Sequence, residues 1–238
     1  MFSRISSIFI ICITTSSFFF PLVALAVPIT LPTSLNPGDQ YRLAFLTPGT
    51  IDATSSDIST YNTFVTNEAN AQVELAALGT TWKAIGSTAS VDARDNTETN
   101  PFNASHISVP IFLLNETKLV DSNDDLWDGT IDTFFNVFSD GTVVGGIVPT
   151  VWTGTSPDGT IGSLGLGSSS VVGGYPVITT SRWISTGFFS SHLGLPMYAV
   201  SDVLTVSGAP IPEPSTLLLF AVALVSVIGI GYRRKRTK

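Results

Sequence analysis

Leu78–Thr88 reads LGTTWKAIGST, and the change of character inside it decides the fold class. Just before it, Val73–Gly79 (VELAALG) spaces its apolar residues for a short helix, with Gly79 at C′, where a left-handed residue closes the last turn. After Gly79 the helical period stops. TTWKAIGST reads as a strand, rich in β-branched and aromatic side chains. A helix handing over directly to a strand points to a mixed domain.

Reading outward gives the same answer. Upstream, QYRLAFLT (Gln40–Thr47) alternates well enough for a first strand. SDISTYNTFVTNEANA follows, with Ser56 and Asp57 as candidate N-caps and Ile58, Tyr61, Val65 and Ala69 on one helical face. Downstream, SVPIFLL (Ser108–Leu114) is apolar enough for a buried strand, and DSNDDLWDGT (Asp121–Thr130) suits a capped helical turn. TFFNVFSDGTVVGGIV (Thr133–Val148) predicts a hairpin turning at Asp140-Gly141. TVWTGTSPDGT joins a short strand to a Pro-Asp-Gly turn, GSLGLGSSSVVGG (Gly162–Gly174) reads as a loop, and LPMYAVSDVLTV carries a final strand. Helices early and strands late predict a single α+β domain.

Both ends of the chain stand apart from that body. Residues 1–26 hold Arg4, an apolar run around Ile8–Phe20, and Ala24-Leu25-Ala26, an A-x-A site for signal peptidase that sets the mature start at Val27. Residues 27–211 form the body, and residues 212–238 a C-terminal segment. There Pro212, Glu213 and Pro214 precede an uncharged apolar run, Leu217–Tyr232, followed by Arg233, Arg234, Lys235 and Arg236. Counted from Ser215, that run makes a helix of roughly 27 Å, about the thickness of a bilayer core. The basic cluster keeps the end of the chain in the cytoplasm and the body outside. Each proline fixes φ and lacks an N–H, which favours an extended, protease-accessible segment.

Pro-Glu-Pro, apolar helix and basic end, in that order, resemble the PEP-CTERM sorting signal of Gram-negative bacteria. The resemblance covers the last tenth of the chain. It implies that Pro212, Glu213 and Pro214 are read by exosortase, a membrane-embedded thiol protease, during export. It further implies a transient anchor and a destination in the envelope or an exopolysaccharide-rich biofilm matrix.

Composition narrows the function of the body. The only cysteine, Cys12, falls in the signal peptide, so packing alone must hold the mature chain. Charged residues are 12% of the whole, about half the usual share. The body's cations are Arg42, Lys83, Arg94, Lys118 and Arg182, against seventeen carboxylates. Such a surface repels phosphate backbones and anionic polysaccharide, which excludes nucleic acid as a partner.

A second resemblance runs through LGTTWKAIGST, SVDARDN, VPIFLL, LWDG, VWTGTSPDG and LPMYAV. In this order they are similar to the endostatin-type domain of collagens XV and XVIII. The resemblance implies a C-type-lectin-like fold, with two helices flanking small antiparallel sheets and long loops on one side. The family's disulfides, basic heparin surface and zinc-binding histidines have no counterpart here. The Glu-Pro-Asn, Gln-Pro-Asp and Trp-Asn-Asp motifs of calcium-dependent sugar binding are also missing.

Candidate chemistry is sparse. His106 and His192 are the only histidines, and nothing resembles a nucleophile elbow, so no catalytic residue and no cofactor is assigned. Asp121, Asn123 and Asp125 have the spacing of the first ligands of a calcium loop, yet Leu126 stands where such a loop needs glycine and Asp132 where it needs glutamate. Asp121 or Ser122 capping a turn accounts for the same residues. Of Trp82, Trp127, Trp152 and Trp183, the last is the candidate for an exposed ring that contacts ligand. Asn103-Ala104-Ser105 and Asn115-Glu116-Thr117 fit a glycosylation sequon with little weight in a bacterial chain. The expected function is a non-enzymatic binding or structural domain. The alternatives are a secreted polysaccharide hydrolase using a carboxylate pair, and an architectural surface-layer component.

Overall fold

Gln40–Leu46 (β1) is buried from Tyr41 to its end, because it lies at the centre of a sheet. It pairs antiparallel with Tyr198–Ser201 (β8) on one side and parallel with Ile111–Leu113 (β3) on the other. Trp82–Ala84 (β2) and Lys118–Val120 (β4) are the two edges, giving the order β2-β8-β1-β3-β4. Leu204–Thr205 (β9) adds to the beginning of β1. A second sheet of three antiparallel strands is built from Val151–Trp152 (β5), Ser170–Gly174 (β6) and Gly187–Ser190 (β7). The structure is a computed structural model and describes residues 28–145 and 150–208.

The helices sit where local sequence puts them. Ile58–Asn70 (α1) begins at Asp57, whose Oδ1 accepts the Ser59 N–H at 2.9 Å, and it buries Tyr61, Val65 and Ala69. Val73–Ala76 (α2) follows, and Gly79 stands two residues past its C-cap at φ +59°, one place later than the C′ position predicted. Ala93–Asn96 (α3) and Asn123–Leu126 (α4) are single turns. The parallel step from β1 to β3 is bridged by α1, α2, β2 and α3, the kind of long crossover that parallel pairing requires.

Two expectations change. The segment read as a loop, Gly162–Gly174, contains β6. Gly174 belongs there because the Trp183 backbone packs against it: a Cβ on Gly174 would stand 2.0 Å from the Trp183 carbonyl oxygen. The predicted hairpin shrinks to one bridge between Val137 and Val143. Asp140 explains this, since its Oδ1 takes the Thr142 N–H at 2.9 Å and hydroxyl at 2.6 Å, making a tight local turn. Residues 146–149 of that segment lie outside the described residues, as do the predicted signal peptide, the Pro-Glu-Pro segment and the predicted membrane helix. Among the described residues no helix is long and apolar enough to cross a membrane.

The fold is held without disulfides by devices that composition alone hides. One is Arg42, fully buried in β1. It donates to Ser201 O at 2.8 Å, Glu98 O at 3.1 Å and Thr97 O at 3.2 Å, tying the loop after α3 to the central sheet. Glu98 has φ +56°, so Arg42 clamps a carbonyl in the left-handed region that non-glycine residues avoid. Burial pulls the Arg42 pKa down, and the charges of Asp202 and Glu98 oppose that pull. Arg42→Ala leaves three carbonyls without their donor and is expected to cost about 3 kcal/mol, read as a lower denaturation midpoint at unchanged m-value.

The second device recurs. In Asp52-Ala53-Thr54, Asp128-Gly129-Thr130, Asp140-Gly141-Thr142 and Asp158-Gly159-Thr160, the aspartate Oδ1 accepts both the threonine N–H and its hydroxyl. Four irregular stretches are fixed this way.

These bonds bear on pH. The Thr54 hydroxyl and N–H hold Asp52 below the usual carboxylate range, and the Ser59 N–H does so for Asp57. Asp158 is partly desolvated, which raises its pKa, but the Thr160 bonds and Arg94 together bring it down. A lowered folded pKa gives stability above the ordinary value of about 4 that is lost as pH falls through the folded value. Asp202 works the other way, raised by desolvation and by Glu98, and partly offsets the loss. On the alkaline side burial pushes Tyr61 up to about 12, and raises Tyr41 and Tyr198 as well. Their stabilisation is complete below about pH 10 and falls as pH rises beyond it. Melting temperature should therefore be flat between about pH 5 and 9 and drop on both sides, with Tyr61→Phe flattening the alkaline limb. A midpoint unchanged from pH 7 to 11 would refute this account.

Candidate functional site

Trp183 is not an exposed ring. It lies at 0% exposure in a 3₁₀ turn, Ser181–Trp183, packed between Phe135 at 6.2 Å, Trp127 at 6.3 Å and Tyr198 at 5.6 Å between ring centroids. The reason is the close approach of β6, whose glycines admit the Trp183 backbone. Trp82, Trp127 and Trp152 are buried too, as expected of core aromatics. The most exposed aromatic ring among the described residues is Phe102 at 84%, resting on the Arg94 guanidinium 5.5 Å away.

The calcium-loop spacing is taken apart by the fold. Asn123 is fully buried and turns to the preceding loop, its N–H bonded to Ser108 Oγ at 2.9 Å and its Nδ2 3.5 Å from Ile107 O. Asp121 and Asp125 meet Asp132 instead, each offering an oxygen within 4.8 Å of the others. Both have local duties: Asp125 Oδ2 accepts the Asp121 N–H at 2.7 Å, and Asp121 pairs with Lys118. Ser122 is the N-cap of α4, accepting the Asp125 N–H at 3.2 Å. Sequence spacing found two of the three clustered carboxylates; Asp132 comes in because its N–H bonds Leu119 O beside β4. Adding EDTA or millimolar calcium should move the melting midpoint by less than about 2 °C. A shift above about 5 °C that Asp125→Ala removes would overturn the capping role.

His106 serves its own loop. Its Nδ1 accepts the Asn100 N–H at 3.1 Å, and its Nε2 is 3.0 Å from Asn103 Nδ2. His192 is exposed near Asp52. Among the described residues no serine hydroxyl is bonded to either ring.

One groove of about 340 Å³ is open to solvent along α1, where the helix faces β2. Asn62 and Thr66 join the two elements: Asn62 Oδ1 accepts the Ala84 N–H at 2.9 Å, and Thr66 Oγ1 donates to Trp82 O at 3.1 Å. Ser59, Thr63, Asn67, Thr81, Trp82 and Lys83 line the remainder; no carboxylate does, although the Thr81 hydroxyl donates to Asp202 just behind it. Nothing in the sequence singled this place out, because a polar helix face is the ordinary solvent side of an amphipathic helix.

The first and last described segments meet at one corner. Gly38 N–H bonds Val206 O at 2.9 Å, Val206 N–H bonds Asp39 O at 2.8 Å, and Tyr41 OH bonds Thr30 O at 2.7 Å. The chain leaves this corner at Gly208, and two residues later a recognisable signal begins. Residues 210–236 match the PEP-CTERM protein-sorting motif. That motif marks an exported protein sorted by exosortase. No curated protein matches the chain.

Proposed function

We propose that the body is a non-catalytic module of lectin-like fold that binds polysaccharide in the extracellular matrix, delivered there by signal peptidase and exosortase. The observation that carries this reading is the sorting motif at residues 210–236, which marks the body for export; a polysaccharide-rich destination is what the resemblance implies. Several features support the lectin-like part. The first strand pairs with the last two, the one long helix, α1, comes early, and a separate three-stranded sheet follows a long irregular segment.

Mass spectrometry of the native extracellular protein tests the route. The expected mature form starts at Val27 and lacks Lys238; an intact N-terminus or an intact tail contradicts it. Release of reducing sugar from matrix polysaccharide, abolished by one carboxylate substitution in a still-folded protein, would replace the module by a hydrolase.

A further inference from the structure

We infer that the α1–β2 groove is a saccharide site, and that it takes an extended, uncharged glycan chain. The inference rests on the matrix-binding reading and gives it a location. Ser59, Thr63 and Asn67 stand one helical turn apart on α1, about 6 Å between successive residues along the axis. The Thr63 and Asn67 side chains make no hydrogen bond to protein among the described residues, the Ser59 hydroxyl leans on the Asp57 carboxylate, and Asn62 and Thr66 beside them are spent on β2. Helix α1 thus offers a ladder of two hydroxyls and an amide, each able to donate and accept. Sugar hydroxyls demand that pairing.

The facing wall adds donors. Lys83 is the one cation among the described residues with no ion pair, hydrogen bond or aromatic partner, since Arg42, Arg94, Lys118 and Arg182 are all engaged. Trp82 borders the groove and keeps a buried indole N–H with no partner. That nitrogen has no exposed surface, so Trp82 offers the groove the face of its ring and not a donor. The groove thus sets a few free donors on a largely apolar lining and has no carboxylate in it, in a body whose seventeen carboxylates outnumber its five cations. Long-range repulsion from that surface disfavours polyuronates, and Lys83, close enough to Asp202 to offset part of its charge, does not reverse it. A neutral chain escapes this penalty and still uses every donor.

The test uses the full-length protein in detergent micelles against an array of cello-, xylo- and chito-hexamers and an alginate-derived hexauronate. A neutral hexamer should bind at least about tenfold tighter than the hexauronate at low salt. Thr63→Ala and Asn67→Ala should each weaken it about fivefold, and the Ser59→Ala/Thr63→Ala/Asn67→Ala triple variant should remove it. Melting temperature should hold, because all three side chains face solvent. Thr63→Trp blocks the groove by bulk and should act like the triple variant. Binding that survives both variants overturns the groove while leaving the module intact. Tighter binding of the hexauronate overturns the neutral-chain assignment. A wild-type protein that binds nothing on the array overturns the matrix-binding reading and the groove together.

Discussion

Alanine at Pro212, Glu213 and Pro214 should leave the tail uncut, with the protein held in the membrane fraction instead of released. The physical reason lies in how little chain separates the signal from the fold. Val206 is buried and bonded in both directions to Gly38 and Asp39, so the body ends firmly there. Six residues then reach Pro212, at most about 20 Å when extended. A protease at the membrane surface therefore has only this short stretch to read, and the sequence there disfavours helix. Two prolines secure that by fixing φ and removing N–H donors, and Glu213 supplies the charge between them. Alanine releases all three constraints and favours continuation of the helix. Fractionation followed by mass spectrometry of the tail reads the outcome, with the body's melting temperature as control. Release of a truncated triple variant at the wild-type level would remove Pro-Glu-Pro from the recognition step.

The second large effect is on stability. Trp183→Ala should cost about 3–5 kcal/mol, lowering the melting midpoint by roughly 10 °C or more for a domain of this size. Trp183 is one of four rings in a single cluster. Removing it leaves Phe135, Trp127 and Tyr198 facing a cavity, and takes support from Tyr198, whose hydroxyl donates to the Trp183 carbonyl at 3.0 Å. Phe135 and Tyr198 stack at 4.2 Å, so collapse to fill the hole would break that stack. Trp183→Phe should recover well over half of the loss, since the indole N–H has no partner to lose. A Trp183→Ala protein that melts within about 2 °C of wild type would return this ring to the surface.

Trp183 also shows where sequence reading stops. The hydrophobic periods of Tyr61, Val65 and Ala69 are local, and they placed α1 and its Asp57 cap. The strand runs at Gln40, Trp82 and Ile111 were legible for the same reason. Whether a tryptophan in a polar stretch faces inward depends on neighbours far along the chain, here the rings of Trp127 and Phe135. Spacing likewise put Asn123 beside Asp121 and Asp125, and only its bonds to the Ile107–Ser108 loop draw it away. The groove on α1 was illegible because its walls come from two elements, and its meaning lies in which hydroxyls the fold leaves unspent. The sorting signal was legible because its parts follow one another in the chain.

The corner where the first and last segments meet has a mechanical consequence. While the tail still anchors the chain, drag on the exported body pulls at Val206. That pull enters β9 and passes through the pairs Thr205–Gln40 and Leu204–Tyr41 into β1, the strand flanked by β8 and β3. The weakest link on this line is the two-residue pairing of β9. Under load it should peel first and pay out roughly 3.3–3.6 Å of slack per residue. Helix α1 and the second sheet lie off the line of force, so the tether can stretch while the rest of the body keeps its shape.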